Sequence, residues 1–237
     1  GIAAGVGALV KMFPMLLVVI PWRYADRSSA IKFSAAAAGV FLLPIAALWA
    51  LSPQMTSASI RAQVAKGPWE TVWALLEGNL ATGNFGADVI RTDPGSLSQI
   101  GAGSAGIPSW LTLIPFLAIG YILFRRVNQI SNLSAVAFLG LTWCIFLLWS
   151  PGYSPQWVLY LLPLIILALP ERTALLMSIV LLSVNLLEWP LLLSRGLFSS
   201  LWLVIPLRVG LLILLAVEFW RPCRVPEVKE AQIDLPA

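Results

Sequence analysis

Long apolar runs separated by short polar connections make up most of the first 220 positions of the chain. Seven of these runs are candidates for membrane-spanning helices, at positions 1–22, 32–51, 110–124, 133–149, 157–169, 173–189 and 201–220. Because a helix needs about twenty residues to cross ~30 Å of hydrocarbon, the shorter runs must borrow residues from their flanks. The pattern predicts an all-α polytopic membrane protein with about seven transmembrane helices, which form one domain over residues 1–220.

A long polar interval at residues 52–109 separates the second run from the third. Within it, Pro68 is typical of the first position of a helix, where proline is favoured. Apolar side chains then recur with helical spacing on one face: Trp69, Val72, Trp73, Leu76 and Leu80. We expect an interfacial amphipathic helix that lies flat on the membrane, with its tryptophans toward lipid and with Glu70 and Glu77 toward water.

The distribution of Lys and Arg predicts which face of the membrane is cytoplasmic. Most of those in short connections fall on one face: Arg23, Arg27, Lys32, Arg125, Arg126 and Arg172. Since positive charge collects in short cytoplasmic connections, we predict that this face and the polar tail at 221–237 are cytoplasmic, and that the loop at 52–109 is extracytoplasmic. Tryptophans, which prefer membrane interfaces, are more frequent at the predicted outer edge, which indicates that ligands bind there.

Composition supports the membrane class and excludes several others. Hydrophobic residues make up 59% of the chain and charged residues 11%, with a mean hydropathy of +0.88. A soluble domain has roughly 25% charged residues, so lipid must be part of the solvent here. The net charge of +4 does not indicate nucleic-acid binding, because the basic residues stand singly at segment ends. The chain has no histidine and two distant cysteines, so we expect no metal centre, disulfide or cofactor.

Two basic residues fall within apolar runs, where a charge is costly and usually faces a protein cavity. Lys11 lies in the first run and Arg208 in the last. Because Glu188 and Glu218 stand near the ends of their runs, we expect neither cation to have a carboxylate at its own depth. A lipid phosphate would supply the missing anion. Alternatively, the long stem of Lys11 reaches an interface and places its charge there.

Further candidate ligands lie on the predicted outer face. Arg61 and Arg91 are placed either to bind a phosphate at headgroup level or to attract anionic lipid. The loop also holds four carboxylates, which are candidate general bases or parts of a solvated surface: Glu70, Glu77, Asp88 and Asp93. Tyr153, Gln156 and Trp157 suit a sugar, whose ring stacks on aromatic side chains and whose hydroxyls bond to an amide; an ordinary aromatic belt is the alternative.

Three segments carry a resemblance to a known family. They are Gly7-Ala-Leu-Val-Lys-Met-Phe-Pro14 with Leu16-Leu-Val-Val-Ile-Pro21, Gly67-Pro-Trp-Glu-Thr-Val-Trp-Ala-Leu-Leu-Glu-Gly-Asn79 with Thr82-Gly-Asn-Phe-Gly86, and Ser150-Pro-Gly-Tyr-Ser-Pro-Gln-Trp157 with Leu161-Leu-Pro163. In this order and spacing they resemble segments of bacterial membrane glycosyltransferases of the GT-C superfamily. The nearest branch takes mannose or a related sugar from a polyprenyl-phosphate carrier.

The resemblance implies an inverting hexosyltransferase of the bacterial plasma membrane. Its donor would be a polyprenyl-phosphate-linked sugar and its acceptor a glycolipid or glycan. The family's roles carry over to these positions: Lys11, Pro14, Trp69, Trp73, Gln156 and Trp157. The catalytic carboxylate of the family lies on a loop upstream of the first segment. Since the chain starts at Gly1 inside an apolar run, we expect it to be part of a longer protein whose base lies upstream.

Together these considerations give one set of candidate ligands and leave two other functional classes open. We expect the donor phosphate at Lys11, Arg61, Arg91 and Arg208, and the sugar and acceptor at Trp69, Glu70, Trp73, Tyr153, Gln156 and Trp157. A transporter or lipid flippase would have an internal repeat with broken helices, and the sequence shows no such repeat. A non-catalytic membrane scaffold would have no reason to keep Lys11 and Arg208 in lipid.

Overall fold

The structure is a computed structural model that describes residues 1–64, 67–80, 93–98, 106 and 108–224. Within these ranges the chain is helical and contains no strand. Four helices are long and apolar enough to cross a membrane: Arg27–Leu51, Asn132–Trp149, Glu171–Arg195 and Phe198–Cys223. The predicted all-α membrane architecture is confirmed at this level, and the length and composition of these helices identify an integral membrane protein.

The α-helices of the described residues follow one another along the chain. They are α1 (Ile2–Val10), α2 (Val19–Tyr24), α3 (Arg27–Leu51), α4 (Pro53–Val64), α5 (Val72–Leu76), α6 (Pro94–Ser98), α7 (Ser109–Arg126), α8 (Asn132–Trp149), α9 (Val158–Ala168), α10 (Glu171–Leu186) and α11 (Leu201–Trp220). Short 3-10 helices include Phe13–Val18, Pro155–Trp157 and Arg221–Cys223. The last of these extends α11 into the region that was predicted to be a polar tail.

The predicted runs correspond unequally to these helices. Those at 32–51, 133–149, 173–189 and 201–220 fall in the four long apolar helices. Those at 110–124 and 157–169 fall in α7 and α9, which are not among the four. The total of seven spans therefore stays a prediction.

The first predicted run is a helical hairpin rather than one continuous helix. α1 ends at Lys11, whose backbone is extended (φ −149°, ψ 136°). Gly1 lies against Phe33, and Trp22 Nε1 donates to Ser34 Oγ (2.9 Å), so both ends of the run lie beside the same part of α3. The chain therefore reverses near Lys11, at the end of α1. Pro14 contributes to the break because it lacks an N–H and its ring blocks a helical turn before it.

The largest buried cluster lies among α8, α9 and α11. Leu161, Ile165, Leu215 and Phe219 are fully buried there. α8 and α11 approach closely at Gly140, where an added Cβ would lie 2.6 Å from the ring of Phe219. Small residues permit such close helix contacts in membranes, where apolar side chains gain nothing by leaving lipid. Residues of the loop at 52–109 pack against this group of helices through α11.

The predicted amphipathic helix at Pro68–Leu80 is wrong in its start and in the position of Glu70. The helix in this segment, α5, begins at Val72, and Thr71 caps it by accepting a hydrogen bond from the Ala74 amide (3.3 Å). Leu76, expected on the membrane side, is 65% exposed, as a lipid-facing side chain would be, whereas Glu70, expected toward water, is 6% exposed. Residues before Val72 are not helical because their backbone pairs with another part of the chain, described below.

Candidate functional site

The segment around Trp69 is bound to the turn that follows α8. The Trp69 amide donates to Pro151 O (3.1 Å), and the Tyr153 amide donates to Trp69 O (3.2 Å). Thr71 Oγ1 adds a bond to Pro151 O (3.0 Å). The Trp69 ring lies so close to Gly152 that an added Cβ would be 2.2 Å from it. Two of the three segments that carry the family resemblance therefore lie in direct contact, and only glycine fits at position 152.

Arg208 lies beneath this contact, in the interior of α11. It is 2% exposed. Its Nη1 donates to Glu188 Oε2, its Nη2 donates to the backbone oxygen of Glu70, and its Cζ lies 3.5 Å from the centroid of the Tyr153 ring. We call these four residues the arginine cluster. It joins a spanning helix, the loop and the turn after α8 at one point.

The expectation that Arg208 lacks a carboxylate partner is wrong. Glu188 is fully buried and forms an ion pair with it. As the sequence suggested, Glu188 stands near the end of its span, because the next residue, Trp189, has a non-helical backbone (φ −138°, ψ 122°) and the chain is kinked there. The residues at this kink pack against α11, which brings Glu188 to the depth of Arg208. A pair of this kind avoids the large penalty of a single buried charge.

The expectation that Glu70 faces water is also wrong. Glu70 is 6% exposed and has a backbone φ of 53°, which is uncommon for a residue with a side chain. This conformation lets its side chain enter the protein while its backbone oxygen accepts from Arg208. The pKa of the Glu70 carboxyl is raised to about 7, chiefly by burial and also by the charge of Glu188, while the charge of Arg208 opposes the rise. Glu70 can therefore exist protonated near neutral pH.

Three polar atoms of the arginine cluster have no hydrogen-bond partner among the described residues. They are Glu70 Oε2, Glu188 Oε1 and the Tyr153 hydroxyl oxygen. Burial raises the pKa of the Tyr153 hydroxyl well above its ordinary value, so this group stays neutral. Unpartnered buried polar atoms are rare in folded proteins, and several in one place mark the cluster as more than a packing contact.

Trp73 anchors α5 to the ends of the helices nearby. Its Nε1 donates to Trp149 O (2.9 Å), and its ring contacts Phe116 edge-on with centroids 6.3 Å apart. Trp149 in turn donates from Nε1 to Ser109 O (3.1 Å), at the start of α7. The Asn79 side-chain amide donates to Pro68 O (2.7 Å), so the two ends of the segment at 67–80 are bonded to each other. Trp73 thus connects α5 to α7 and α8.

The other predicted sugar ligands are divided between core and surface. Trp157 is 8% exposed and packs against Phe13, with ring centroids 4.6 Å apart, and against Tyr153 at 5.9 Å. Its ring belongs to the aromatic core below the turn. Gln156 is exposed beside it. Of this pair, Gln156 is the one whose amide is available to a ligand.

The predicted phosphate ligands are not gathered at one point. Lys11 is exposed and stands at the reversal of the first hairpin. Arg61 is exposed in the last turn of α4. Arg208 lies in the arginine cluster, and Arg91 lies outside the described residues, as does the carboxylate Asp88. The structure therefore brings Arg208 together with Trp69, Glu70 and Tyr153, and leaves Lys11 and Arg61 on the surface.

An apolar cleft of about 590 Å³ lies beside the reversal at Lys11. Its walls come from the Phe13–Val18 helix and from α7 and α8, and almost all of its lining side chains are apolar. It extends from Leu113 to Phe124 along α7 and from Phe138 to Trp149 along α8, which is about 16 Å at 1.5 Å per residue. Met12, the residue after Lys11, lines it.

Sequence reasoning missed the cleft because a space between helices depends on how they pack. No residue of α7 is buried, so this helix rests loosely on its neighbours. Gly120 lines the cleft and has no atom within 4 Å of an added Cβ. A glycine within a strongly apolar helix was the available signal, although by itself it does not distinguish a cleft from a close helix contact.

Comparison with models of known protein families finds no match to this chain, and searches of curated proteins and of solved structures find none either.

Proposed function

We propose that this chain belongs to an integral membrane glycosyltransferase that transfers a hexose, with mannose as the first candidate, from a polyprenyl-phosphate donor to a glycolipid or glycan acceptor. The observation that carries the proposal is the apolar cleft beside Lys11. A polyprenyl-phosphate donor consists of a long hydrocarbon chain with an anionic head. The cleft and the adjacent cation offer one surface suited to each part.

The cleft suits a hydrocarbon chain in size and chemistry. Its volume of about 590 Å³ is within the ~300–1,000 Å³ of ordinary ligand sites. It runs along α7 and α8, so a chain in it would stay at the depth of the hydrocarbon. Aromatic side chains at its two ends, Trp149 and Phe124, provide flat surfaces for the flat double bonds of a prenyl chain.

Lys11 suits the phosphate of the same donor. It is exposed and directly precedes Met12, which lines the cleft. α1 runs along α3 toward the end where α3 meets the loop, so the hairpin reversal places Lys11 on the loop side of the first run. A Lys ammonium binds phosphate as a point charge and needs no fixed geometry, which fits a site at a turn.

Arg208, which the sequence assigns to the donor phosphate, has a structural role in this proposal instead. Both of its terminal nitrogens donate to protein oxygens, and Tyr153 covers one side of its guanidinium. It is therefore assigned to holding the loop in place rather than to binding the phosphate directly. Trp69 and Trp73 act with it by anchoring the loop, and Gln156 is assigned to the sugar or acceptor because its amide is exposed.

The direction of the protein in the membrane is part of the proposal. Arg23, Arg27, Arg125 and Arg126 stand at the helix ends opposite the loop. By the positive-inside rule, these ends are cytoplasmic, and the loop faces outward. The membrane is then the plasma membrane of a bacterium, as in the glycosyltransferases that the chain resembles.

Transfer by the full-length protein in liposomes tests the proposal. The protein is supplied with radiolabelled polyprenyl-phosphate hexoses, mannose first, and a glycolipid acceptor. We expect labelled acceptor to form, and we expect Lys11→Ala or Gln156→Ala to lower its formation at least tenfold. Lys32→Ala, which removes an exposed cation at the other end of α3, is the matched control and is expected to have little effect.

Two outcomes would overturn the proposal. One is label that crosses the bilayer without forming a glycosidic bond, which would identify a transporter or flippase. The other is transfer that is equally fast in the Lys11→Ala, Gln156→Ala and Lys32→Ala variants, because the site would then lie elsewhere.

A further inference from the structure

The arginine cluster contains more carboxylates than its cation can balance. Glu70 and Glu188 are both buried and Arg208 is the positive group in contact with them, while Tyr153 is neutral. If both carboxylates were ionised, the cluster would carry one negative charge with little water around it. Such a charge is strongly disfavoured, and a buried acid takes up a proton instead.

The hydrogen bonds of the cluster point to the same missing proton. Glu188 already accepts from Arg208 through Oε2, but its Oε1 has no donor, and neither has Glu70 Oε2. An ionised carboxylate only accepts, whereas a protonated one also donates. A proton on Glu70 therefore gives the two carboxyl groups a donor in addition to the Tyr153 hydroxyl, and it removes the excess charge.

We propose that Glu70 is a proton-binding site and that the bound proton holds the segment at 67–80 against the membrane-spanning helices. The segment is attached at this point through the backbone of Trp69 and Glu70 and through the buried side chain of Glu70. Loss of the proton places a second negative charge beside Glu188. The least costly relief is to release Glu70, and with it the segment, toward water.

The direction of the pH dependence follows from the position of Glu70 in the two states. In the docked state burial raises the pKa of its carboxyl to about 7, and in water the carboxyl has its ordinary value near 4.5. The stabilisation of the docked state by the Glu70 proton is therefore complete below pH 4.5. It decreases as the pH rises toward 7 and is lost above that pH. The charged and titratable groups that face Glu70 are Arg208 from α11, Glu188 from the segment after α10, and Tyr153 from the turn.

The backbone amides that hold the segment provide the measurement. The full-length protein is placed in nanodiscs, and hydrogen exchange of the Trp69 and Tyr153 amides is followed from pH 5 to pH 8, with rates corrected for the intrinsic pH dependence of exchange. We expect the protection of both amides to fall roughly fiftyfold over this range, as the two pKa values require. Glu70→Gln, which stays neutral, is expected to keep its protection constant within about threefold by the same linkage.

Glu77→Gln is the matched control, because Glu77 lies on the same segment and is not among the charges that act on Glu70. It is expected to lose protection with pH as the natural chain does. The proposal is overturned if protection in the natural chain does not fall between pH 5 and pH 8. It is equally overturned if Glu70→Gln shows the same fall, since another group would then be responsible. Both results are independent of whether the protein transfers a sugar.

Discussion

Arg208 and Tyr153 are stacked, with the guanidinium Cζ 3.5 Å from the centroid of the phenol ring. Arg208 belongs to a spanning helix and Tyr153 to the turn after α8, which also binds the backbone of Trp69. A cation–π contact shielded from water contributes about 2 kcal/mol. The contact therefore joins the position of the loop to the interior of α11, and most of the expectations below follow from it.

Removing the cation should be more damaging than removing the whole ion pair. Arg208→Leu leaves Glu188 buried without its partner, and we expect the free energy of unfolding to fall by about 3–5 kcal/mol. Glu188→Leu combined with Arg208→Leu removes both charges and should recover most of this loss. Denaturant titration in detergent micelles measures both. Arg221→Leu, at an exposed ion pair, should change little; a double variant less stable than Arg208→Leu would contradict the account.

Gly152→Ala should displace the loop without changing any charge. Its new Cβ would lie 2.2 Å from the Trp69 ring, so the ring or the turn must move. We expect a loss of about 1–3 kcal/mol, as is typical of overpacking. Faster hydrogen exchange at the Trp69 amide would locate the effect. Gly210→Ala, where no atom lies within 4 Å of the added Cβ, is the control and should leave exchange unchanged; equal effects of the two changes would refute the close contact.

Glu70→Gln should stabilise the protein at alkaline pH and not at acidic pH. In the natural chain, the pKa of the docked Glu70 carboxyl is about 7, whereas its ordinary value is near 4.5. The free energy of unfolding therefore falls as the pH rises through this interval. Gln carries no charge and avoids the loss, which amounts to about 1–3 kcal/mol at pH 8. Melting temperatures at pH 5 and pH 8 provide the measurement. A variant that is less stable than the natural chain at pH 8 would argue that Glu70 acts there as an ionised group.

Filling the cleft should weaken binding of a prenyl lipid. Gly120 lines the cleft with open space around an added Cβ, so Gly120→Phe places a ring in it without a clash at the backbone. We expect affinity for polyprenyl phosphate to fall roughly tenfold, because less apolar surface of the lipid can be buried in the cleft. Gly39→Phe adds the same ring to α3, at an exposed glycine outside the cleft lining, and serves as control. Unchanged affinity in Gly120→Phe would place the lipid elsewhere.

The sequence was sufficient for the elements whose formation depends on composition alone. Long runs of apolar residues form helices in lipid whatever their neighbours are, because backbone groups must bond within the segment. This is why the runs at 32–51, 133–149, 173–189 and 201–220 appear as long helices. The motif segments around Trp69 and Tyr153 were likewise expected to belong to one site, and they lie in contact.

The errors fall where contacts between distant segments decide the structure. Residues 68–71 have a helical pattern, but Trp69 pairs with the backbone beside Gly152, and the strained backbone of Glu70 follows from that pairing. The partner of Arg208 was missed because the approach of Glu188 to α11 depends on how the kinked segment around Trp189 packs, and hydropathy does not specify this packing. Neither the cleft nor the hairpin at Lys11 has a periodic signal in the sequence.

The central claim is that a phosphate-bearing prenyl lipid occupies the cleft beside Lys11. A polyprenyl phosphate with a photoreactive group in its chain, added to the full-length protein in liposomes, tests it directly by mass spectrometry of the crosslinked peptides. The account predicts crosslinks at α7 positions 113–124 and α8 positions 138–149 that are lost in Lys11→Ala and retained in Lys32→Ala. Crosslinks spread evenly over the exposed faces of α3, α9 and α10, with no dependence on Lys11, would contradict it.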